Sequence, residues 1–227
     1  MKEQDSIPTS KTERSAKFVK TGLKVGGNYI KHYSKKLFNP SLNKDELNLD
    51  NATDIYASLS ELKGSALKVA QMLSMDKNIL PKAYVDQFSL SQYNAPPLSG
   101  PLIVRTFSKY FGKTPSEIYD EFNIRSTNAA SIGQVHQASL NGKKLAVKIQ
   151  YPGVGDSISS DLKMVKPFAF RLLGMSQKEL EVYMCEVEER LLEETDYELE
   201  IKRSIEFSEA CKNIPNVVFP TYYPELS

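Results

Sequence analysis

The chain has 227 residues, 41% of them apolar and 25% charged, with two Cys, two His and no Trp. That composition excludes a disordered or fibrous chain and fits one or two globular domains. No apolar run approaches the ~18 residues that read as a membrane-spanning helix. The net charge of +1 conceals an asymmetry: residues 1–44 carry ten Lys or Arg against three Asp or Glu, and the remainder is net −6. An acidic main body argues against nucleic-acid binding, and a basic end points to a partner of its own. The polar N-terminus lacks a signal-peptide core. Cys185 and Cys211 cannot make a disulfide framework, so a reducing, cytoplasmic location is expected. With only His32 and His136 beside them, no zinc-type ligand cluster is expected.

In chain order, residues 12–38 read as a helix. Val19, Leu23, Gly26, Ile30, Tyr33 and Leu37 recur at spacings of 4 and 3, with lysines at 17, 20, 24, 31, 35 and 36. Two readings stand: an interfacial helix drawn peripherally to an anionic membrane surface, or an ordinary helix whose stripe covers a core. Residues 40–50 read as a polar linker. A second helix is expected over 51–75, with Ile55, Leu59, Leu62, Ala66, Val69 and Leu73 on one face and Gly64, Lys68, Gln71 and Met75 opposite. Pro81 breaks the chain before a short helix, and YNAPPLSGP is a loop. Pro101 opens a helix that ends near Gly112, and Thr114-Pro-Ser-Glu117 is a capping box.

From Asn123 the pattern becomes that of strands. Asn141-Gly142 between two such runs is a hairpin signal. In the second run Leu145, Val147 and Ile149 alternate with Ala146, Lys148 and Gln150, which puts Lys148 on the face opposite the aliphatic set. Helices resume over about 156–173. Another, opened by the Ser176–Glu179 capping box, runs to about 212 with room for a bend. VVFPTYYP near the C-terminus reads as a last strand.

Three segments could carry chemistry. The small-residue turn Asn128-Ala129-Ala130-Ser131-Ile132-Gly133, followed by the Ala-Val-Lys148-Ile strand, has the parts of a phosphate site: close backbone and a projecting cation. Alone it is equally an ordinary hairpin with an outward lysine. The acidic run Glu193 to Glu200 could supply a carboxylate for that lysine, or be a solvated helix face. Lys68 and Gln71, at i and i+3, sit away from an apolar stripe, where such residues are usually exposed.

The order LKVAQMLS, NAASIGQVH, AVKIQYPGV, EETDYELE resembles the UbiB-type atypical kinase-like family, from about residue 50 to the end. The resemblance implies an α+β fold: a helical N-terminal extension packed on a kinase-like N-lobe, a small antiparallel sheet with long helices, the C-lobe absent. It divides the chain into a basic amphipathic leader (1–45), a KxGQ-type helical extension (46–120) and an N-lobe incomplete at the hinge (121–227). It implies that Lys148 is the nucleotide-binding lysine and Glu200 its helix partner. Asn128, Ala129, Ala130, Ser131 and Gly133 form the Ala-rich loop around ATP or ADP. Lys68 and Gln71 belong to the KxGQ motif, and Glu194 and Asp196 to the ExD motif that meets its lysine as a latch. Two positions depart from the pattern: the KxGQ glycine is Ala70, and the first Ala of the loop is Asn128.

Neither His begins a catalytic-loop pattern, and Phe111-Gly112 follows Tyr110 rather than completing a DFG. The expected protein is thus the nucleotide-binding part of a kinase or ATPase linked to isoprenoid-quinone (ubiquinone) or lipid metabolism. It needs a missing C-lobe or partner protein, and Mg²⁺, for turnover. The alternative is a non-catalytic membrane- or partner-binding module built from the same parts.

Overall fold

The computed structural model describes residues 3–75, 80–92 and 96–227. The helices are α1 (Lys11–Phe38), α2 (Asp45–Leu62), α3 (Gly64–Met75), α4 (Lys82–Ser89), α5 (Gly100–Phe111), α6 (Pro115–Ile118), α7 (Val154–Leu173), α8 (Gln177–Thr195) and α9 (Tyr197–Ala210). Four strands form one antiparallel sheet: β1 (Glu121–Phe122), β2 (Asn128–Ala129), β3 (Gly133–Leu140) and β4 (Lys143–Gln150). The α+β architecture expected from the sequence is the one observed.

Helix α1 starts on a full capping box, Ser10 with Glu13, and covers the predicted span, but it turns the other way. Its apolar stripe faces out, with exposures from 49% at Tyr33 to 83% at Leu37. The buried side is Arg14, Phe18, Thr21 and His32, which repeats the same 4-and-3 spacing about 140° around the helix. The core-covering reading of the stripe is therefore corrected. The reason is polar: α2 lies antiparallel to α1 and holds it by its charges. Lys17 pairs with Glu61, Lys24 with Asp54 (3.2 Å), Lys31 with Asp50 (3.6 Å) and Lys35 with Glu46 (2.9 Å).

The expected linker is shorter than 40–50, because α2 begins at Asp45 and Leu47 is buried. The single helix expected over 51–75 is two. The break falls at Lys63 (φ 52°, ψ −165°) and Gly64 (φ 64°), backbone outside the helical region. A buried polar hub holds that break. Arg14 donates from Nε to Asp161 Oδ1 (2.7 Å) and from Nη2 to Oδ2 (2.5 Å). Its remaining donors reach the carbonyls of Pro8 (2.9 Å), Leu62 (2.8 Å) and Lys63 (3.4 Å). Ser65 and Ser157 donate to Asp161 Oδ2 at 2.5 and 3.2 Å. One arginine thus fixes α1, the α2/α3 break and α7 together. Lys63 itself is buried, donates to the Pro96 carbonyl and lies 4.4 Å from the Tyr151 ring centroid.

The predicted loop at 93–101 falls partly on residues 93–95, outside the described residues. Beyond them Leu98 makes a parallel bridge to Gln4. Helix α5 opens with Pro101 and ends on Gly112 in the left-handed conformation (φ 67°), and the Thr114–Glu117 box caps α6. The β3–β4 turn uses Asn141 (φ 51°) and Gly142 (φ 74°), the conformation a two-residue hairpin loop requires. Register pairs Val135 with Lys148 and Gly133 with Gln150.

Two apolar cores result. One joins α1–α4 with α7 and α8, through Leu59, Leu62, Leu67, Ile158, Leu180 and Val187 among others. The second packs α5 on the sheet, through Ile103, Phe107, Ala138, Ile149 and Tyr151. Both draw on chain from either side of residue 121. Residues 217–223 do not form the expected strand: the segment is irregular, and Val218 is 93% exposed. A strand needs a ladder partner, none of the described strands pairs with this segment, and Pro220 and Pro224 each remove a donor.

Candidate functional site

A cleft of about 740 Å³ opens between the sheet, α3 and the α8–α9 corner. On the sheet side, period-2 alternation turns Leu145, Val147 and Ile149 into the second core and sends Lys148 the other way. Lys148 Nζ donates to both oxygens of Glu200, at 2.7 and 2.5 Å. The two groups named as lysine and helix partner therefore meet on one side of the sheet. Their side chains are 44% and 49% exposed, so the pair contributes about 0–1 kcal/mol to stability. Its consequence is the position of the ammonium.

The small-residue turn forms the roof. Ala130 N–H donates to Gly133 O (2.8 Å), and Tyr151 N–H to Ile132 O (3.0 Å). Gly133 has no room for a side chain: a Cβ would lie 2.6 Å from the Ile149 carbonyl oxygen and 2.7 Å from the Tyr197 hydroxyl. Asn128, Ala130, Ser131 and Gly133 line the cleft; Ala129 sits in β2 opposite Gln134. Gly64 N–H donates to Ser131 O (2.8 Å), so the α2/α3 break described above also carries the turn.

Across the cleft, Lys68 of α3 pairs with Glu194 at 2.6 Å, and Gln71 lines the same wall. On one unbroken helix Glu194 and Glu200 could not both face the cleft. The chain solves this by breaking at Asp196, whose Oδ1 accepts from Leu199 N–H (2.9 Å) and caps α9. Of the two ExD acids, Glu194 makes the ion pair to Lys68 and Asp196 makes the corner. Ala70, where the resembled motif has glycine, lies in the first core beside a small apolar cavity and not in the cleft.

Several groups escaped the sequence reading. Gln150 Nε2 donates to Thr195 O (2.7 Å), tying the end of β4 to the end of α8. Arg190 and Arg203 line the cleft, Arg203 paired with Glu193. Tyr197 puts its ring 4.3 Å from Lys148 Nζ. Burial first, then the charges of Glu200 and Glu194, push its phenol well above the usual range, so it keeps its proton. The available signal for Tyr197 was its place in the chain, directly after the capping aspartate.

Behind the sheet, His136 and Gln134 are buried. Gln134 Oε1 accepts from Leu98 N–H (2.8 Å), Gln134 Nε2 lies 2.8 Å from His136 Nε2, and His136 Nδ1 lies 2.8 Å from Asn123 O. Burial depresses the His136 pKa. The neutral ring then donates from Nδ1 and accepts at Nε2. This network braces β3, and of its members Gln134 also borders the cleft.

The site has the volume of a small-ligand pocket and the elements an anionic ligand needs: a half-exposed ammonium, close backbone and three further cations, Lys68, Arg190 and Arg203, each paired with a glutamate. Glu193, Glu194 and Glu200 are each engaged by a cation, and no group of three or more His, Cys, Asp or Glu suited to an ion occurs among the described residues.

Comparison with known proteins gives a consistent result. Residues 90–227 match the ABC1 atypical kinase-like domain. The "Probable serine/threonine-protein kinase abkA" of Dictyostelium discoideum is 33% identical over 211 residues, 88% of this chain and 37% of that protein. "Atypical kinase coq-8, mitochondrial" of Caenorhabditis elegans is 29% identical over 235 residues, 99% of this chain and 31% of its own. "Probable protein kinase UbiB" of Cronobacter sakazakii is 32% identical over 194 residues, 82% and 35% of the two chains. The chain spans about a third of the length of these relatives.

Proposed function

The chain belongs to the ABC1 atypical kinase-like family, and from that premise we propose that it is the nucleotide-binding portion of a UbiB-type atypical kinase or ATPase. In this reading it serves isoprenoid-quinone (ubiquinone) or related lipid metabolism at a membrane surface. The observation that carries the proposal is the bidentate Lys148–Glu200 pair under a small-residue turn that admits only glycine at 133. Lys148 holds the α- and β-phosphates of ATP or ADP. Glu200 holds Lys148, and backbone from Asn128 to Gly133 closes over the phosphates. Lys68 and Glu194 latch α3 across the opening and deny it to protein substrates. Mg²⁺ would supply neutralisation of the phosphate charge, and with Glu193, Glu194 and Glu200 paired to cations it would have to be held by groups other than these. The carboxylates of this cleft are already paired with cations, and we expect no turnover from these residues alone.

Titration calorimetry with ATP and with ADP, each with Mg²⁺, tests this. Saturable binding that disappears in Lys148→Ala, while circular dichroism is unchanged, is the expected result. Absence of binding by the wild-type chain sinks the nucleotide reading. Hydrolysis by the purified chain, abolished in Lys148→Ala, overturns the claim of inactivity.

A second reading rests on α1. Its outward stripe of Val19, Leu23, Ile30, Tyr33 and Leu37 is flanked by Lys20 and Lys36, which make no ion pair among the described residues. That is the pattern of a helix lying on an anionic bilayer. Among the described residues no helix is long and apolar enough to cross one. Because four of the lysines are already paired with α2, apolar contact dominates the attachment. Leu23→Glu with Ile30→Glu is expected to abolish flotation with phosphatidylglycerol vesicles, and raised salt to weaken it only partly. Equal flotation of wild type and the double variant eliminates this reading.

A further inference from the structure

Tyr197 lies at the corner between α8 and α9, three residues after the latch carboxylate Glu194 and three before Glu200. Its hydroxyl is buried and has no hydrogen-bond partner among the described residues. Sealed from the cleft, that hydroxyl can neither donate to a ligand nor act as an acid there. What the residue presents is a ring face toward Lys148 Nζ, 4.3 Å away, and bulk toward Gly133, where a Cβ would fall 2.7 Å from the hydroxyl oxygen.

A lysine ammonium has three N–H donors and rotates freely. In Lys148 the Glu200 oxygens take two directions, and the aromatic face of Tyr197 borders the ammonium as well. One donor is left, with few directions open to it. An arriving polyphosphate takes that remaining donor, and the ring face limits where the ammonium can swing while Glu200 keeps the other two.

We propose that Tyr197 is a positioning residue: its ring confines the Lys148 ammonium so that the donor left by Glu200 points into the cleft, while its hydroxyl end sets how close the Gly133 turn can come. The proposal rests on the nucleotide reading only for what Lys148 is positioned to bind. It accounts for an aromatic residue at the corner; the glycine at 133 is required independently by the Ile149 carbonyl oxygen, which a Cβ there would approach to 2.6 Å.

The test uses the 227-residue chain labelled with carbon-13 lysine, with Lys148→Arg to identify the Lys148 side-chain resonance. In wild type and in Tyr197→Phe, ring current displaces that resonance upfield; in Tyr197→Leu it returns to the position of an ordinary surface lysine. Affinity for ADP falls about five-fold in Tyr197→Leu, the size of a partly exposed cation–π contact, and stays within about two-fold in Tyr197→Phe. An undisplaced Lys148 resonance in the wild-type chain overturns the proposal, and that measurement needs only the Lys148→Arg assignment variant, not a Tyr197 variant, to fold. Full ADP affinity in a folded Tyr197→Leu overturns it too. A displaced resonance without any nucleotide binding upholds the positioning of Lys148 and removes the nucleotide reading instead.

Discussion

Asp161→Asn is expected to destabilise this chain by about 3–5 kcal/mol, the cost of breaking a buried ion pair from one side. The geometry explains why an exposed pair, worth about 0–1 kcal/mol, is the wrong comparison. Arg14 is 3% exposed and Asp161 fully buried, so neither can turn to water. Asp161 accepts four hydrogen bonds, two from Arg14 and one each from Ser65 and Ser157. An amide in its place meets that ring of donors with a donor of its own and leaves the guanidinium charge unbalanced. Against a total stability of about 5–15 kcal/mol for a small protein, the loss is easily measured by urea unfolding followed by far-UV circular dichroism. The double-mutant cycle makes the test sharper. Arg14→Met orphans three carbonyls as well as Asp161, so it too is costly, but Arg14→Met with Asp161→Leu should fall short of the sum by at least about 2 kcal/mol. Additivity within about 0.5 kcal/mol, or a loss under about 1 kcal/mol in Asp161→Asn, refutes the reasoning.

Three further outcomes follow from the same structure. Lys63→Met should raise stability at pH 7 by about 1–2 kcal/mol, because burial pulls the Lys63 pKa down to about 8 and the charged form is the costly one. The unfolded lysine binds more protons between pH 8 and its ordinary value, so wild-type stability rises there relative to the variant; a gain that does not shrink above pH 8 in urea titrations contradicts this. His136 is depressed by burial, so the unfolded state binds the extra proton first. Stability is therefore retained above about pH 6.5 and falls as pH drops below it. A His136→Gln chain with the same slope between pH 6.5 and 5 would show that another group is responsible. Lys148→Ala should change unfolding by less than about 1 kcal/mol, since both members of its ion pair are half exposed, and a larger loss of stability would assign that lysine a structural role.

Much of this was legible in the residues. The hairpin at Asn141-Gly142, the capping boxes at Thr114 and Ser176 and the outward face of Lys148 are local signals, and each appears where local chemistry put it; the third box, Ser10 with Glu13, was equally local and was missed. Glu200 and Lys68 were found by resemblance, and their contacts span 52 residues for Lys148 and join different helices for Glu194. What stayed hidden was set by neighbours. The periodicity of α1 located a helix with an apolar stripe, yet its orientation was decided by Arg14, a charged residue that reads as surface until Asp161 arrives from 147 positions away. The break at Lys63 was invisible because Lys63 looks like a good helix residue, and its positive φ is sustained only by the hub around it. The strand expected at 217–223 failed for the complementary reason: β propensity is a preference for a partner, and no described strand offers one there.

The ladder between α1 and α2 has a mechanical consequence. Its four ion pairs are partly exposed contacts, individually weak and screened by salt, whereas three of the four buried residues of α1, Arg14, Phe18 and Thr21, lie within its first eleven residues and His32 is the one buried residue beyond them. The helix is therefore pinned at one end and only buttoned along the rest. Opening should proceed from Phe38 backwards as a cooperative unit below the global transition, with amide exchange quickening along the helix toward its C-terminus and more so as ionic strength rises. A surface that captured the outward stripe would be pulling on the free end of a lever whose fulcrum is the same arginine that holds the α2/α3 break, and through Gly64 and Ser131 the turn above the cleft.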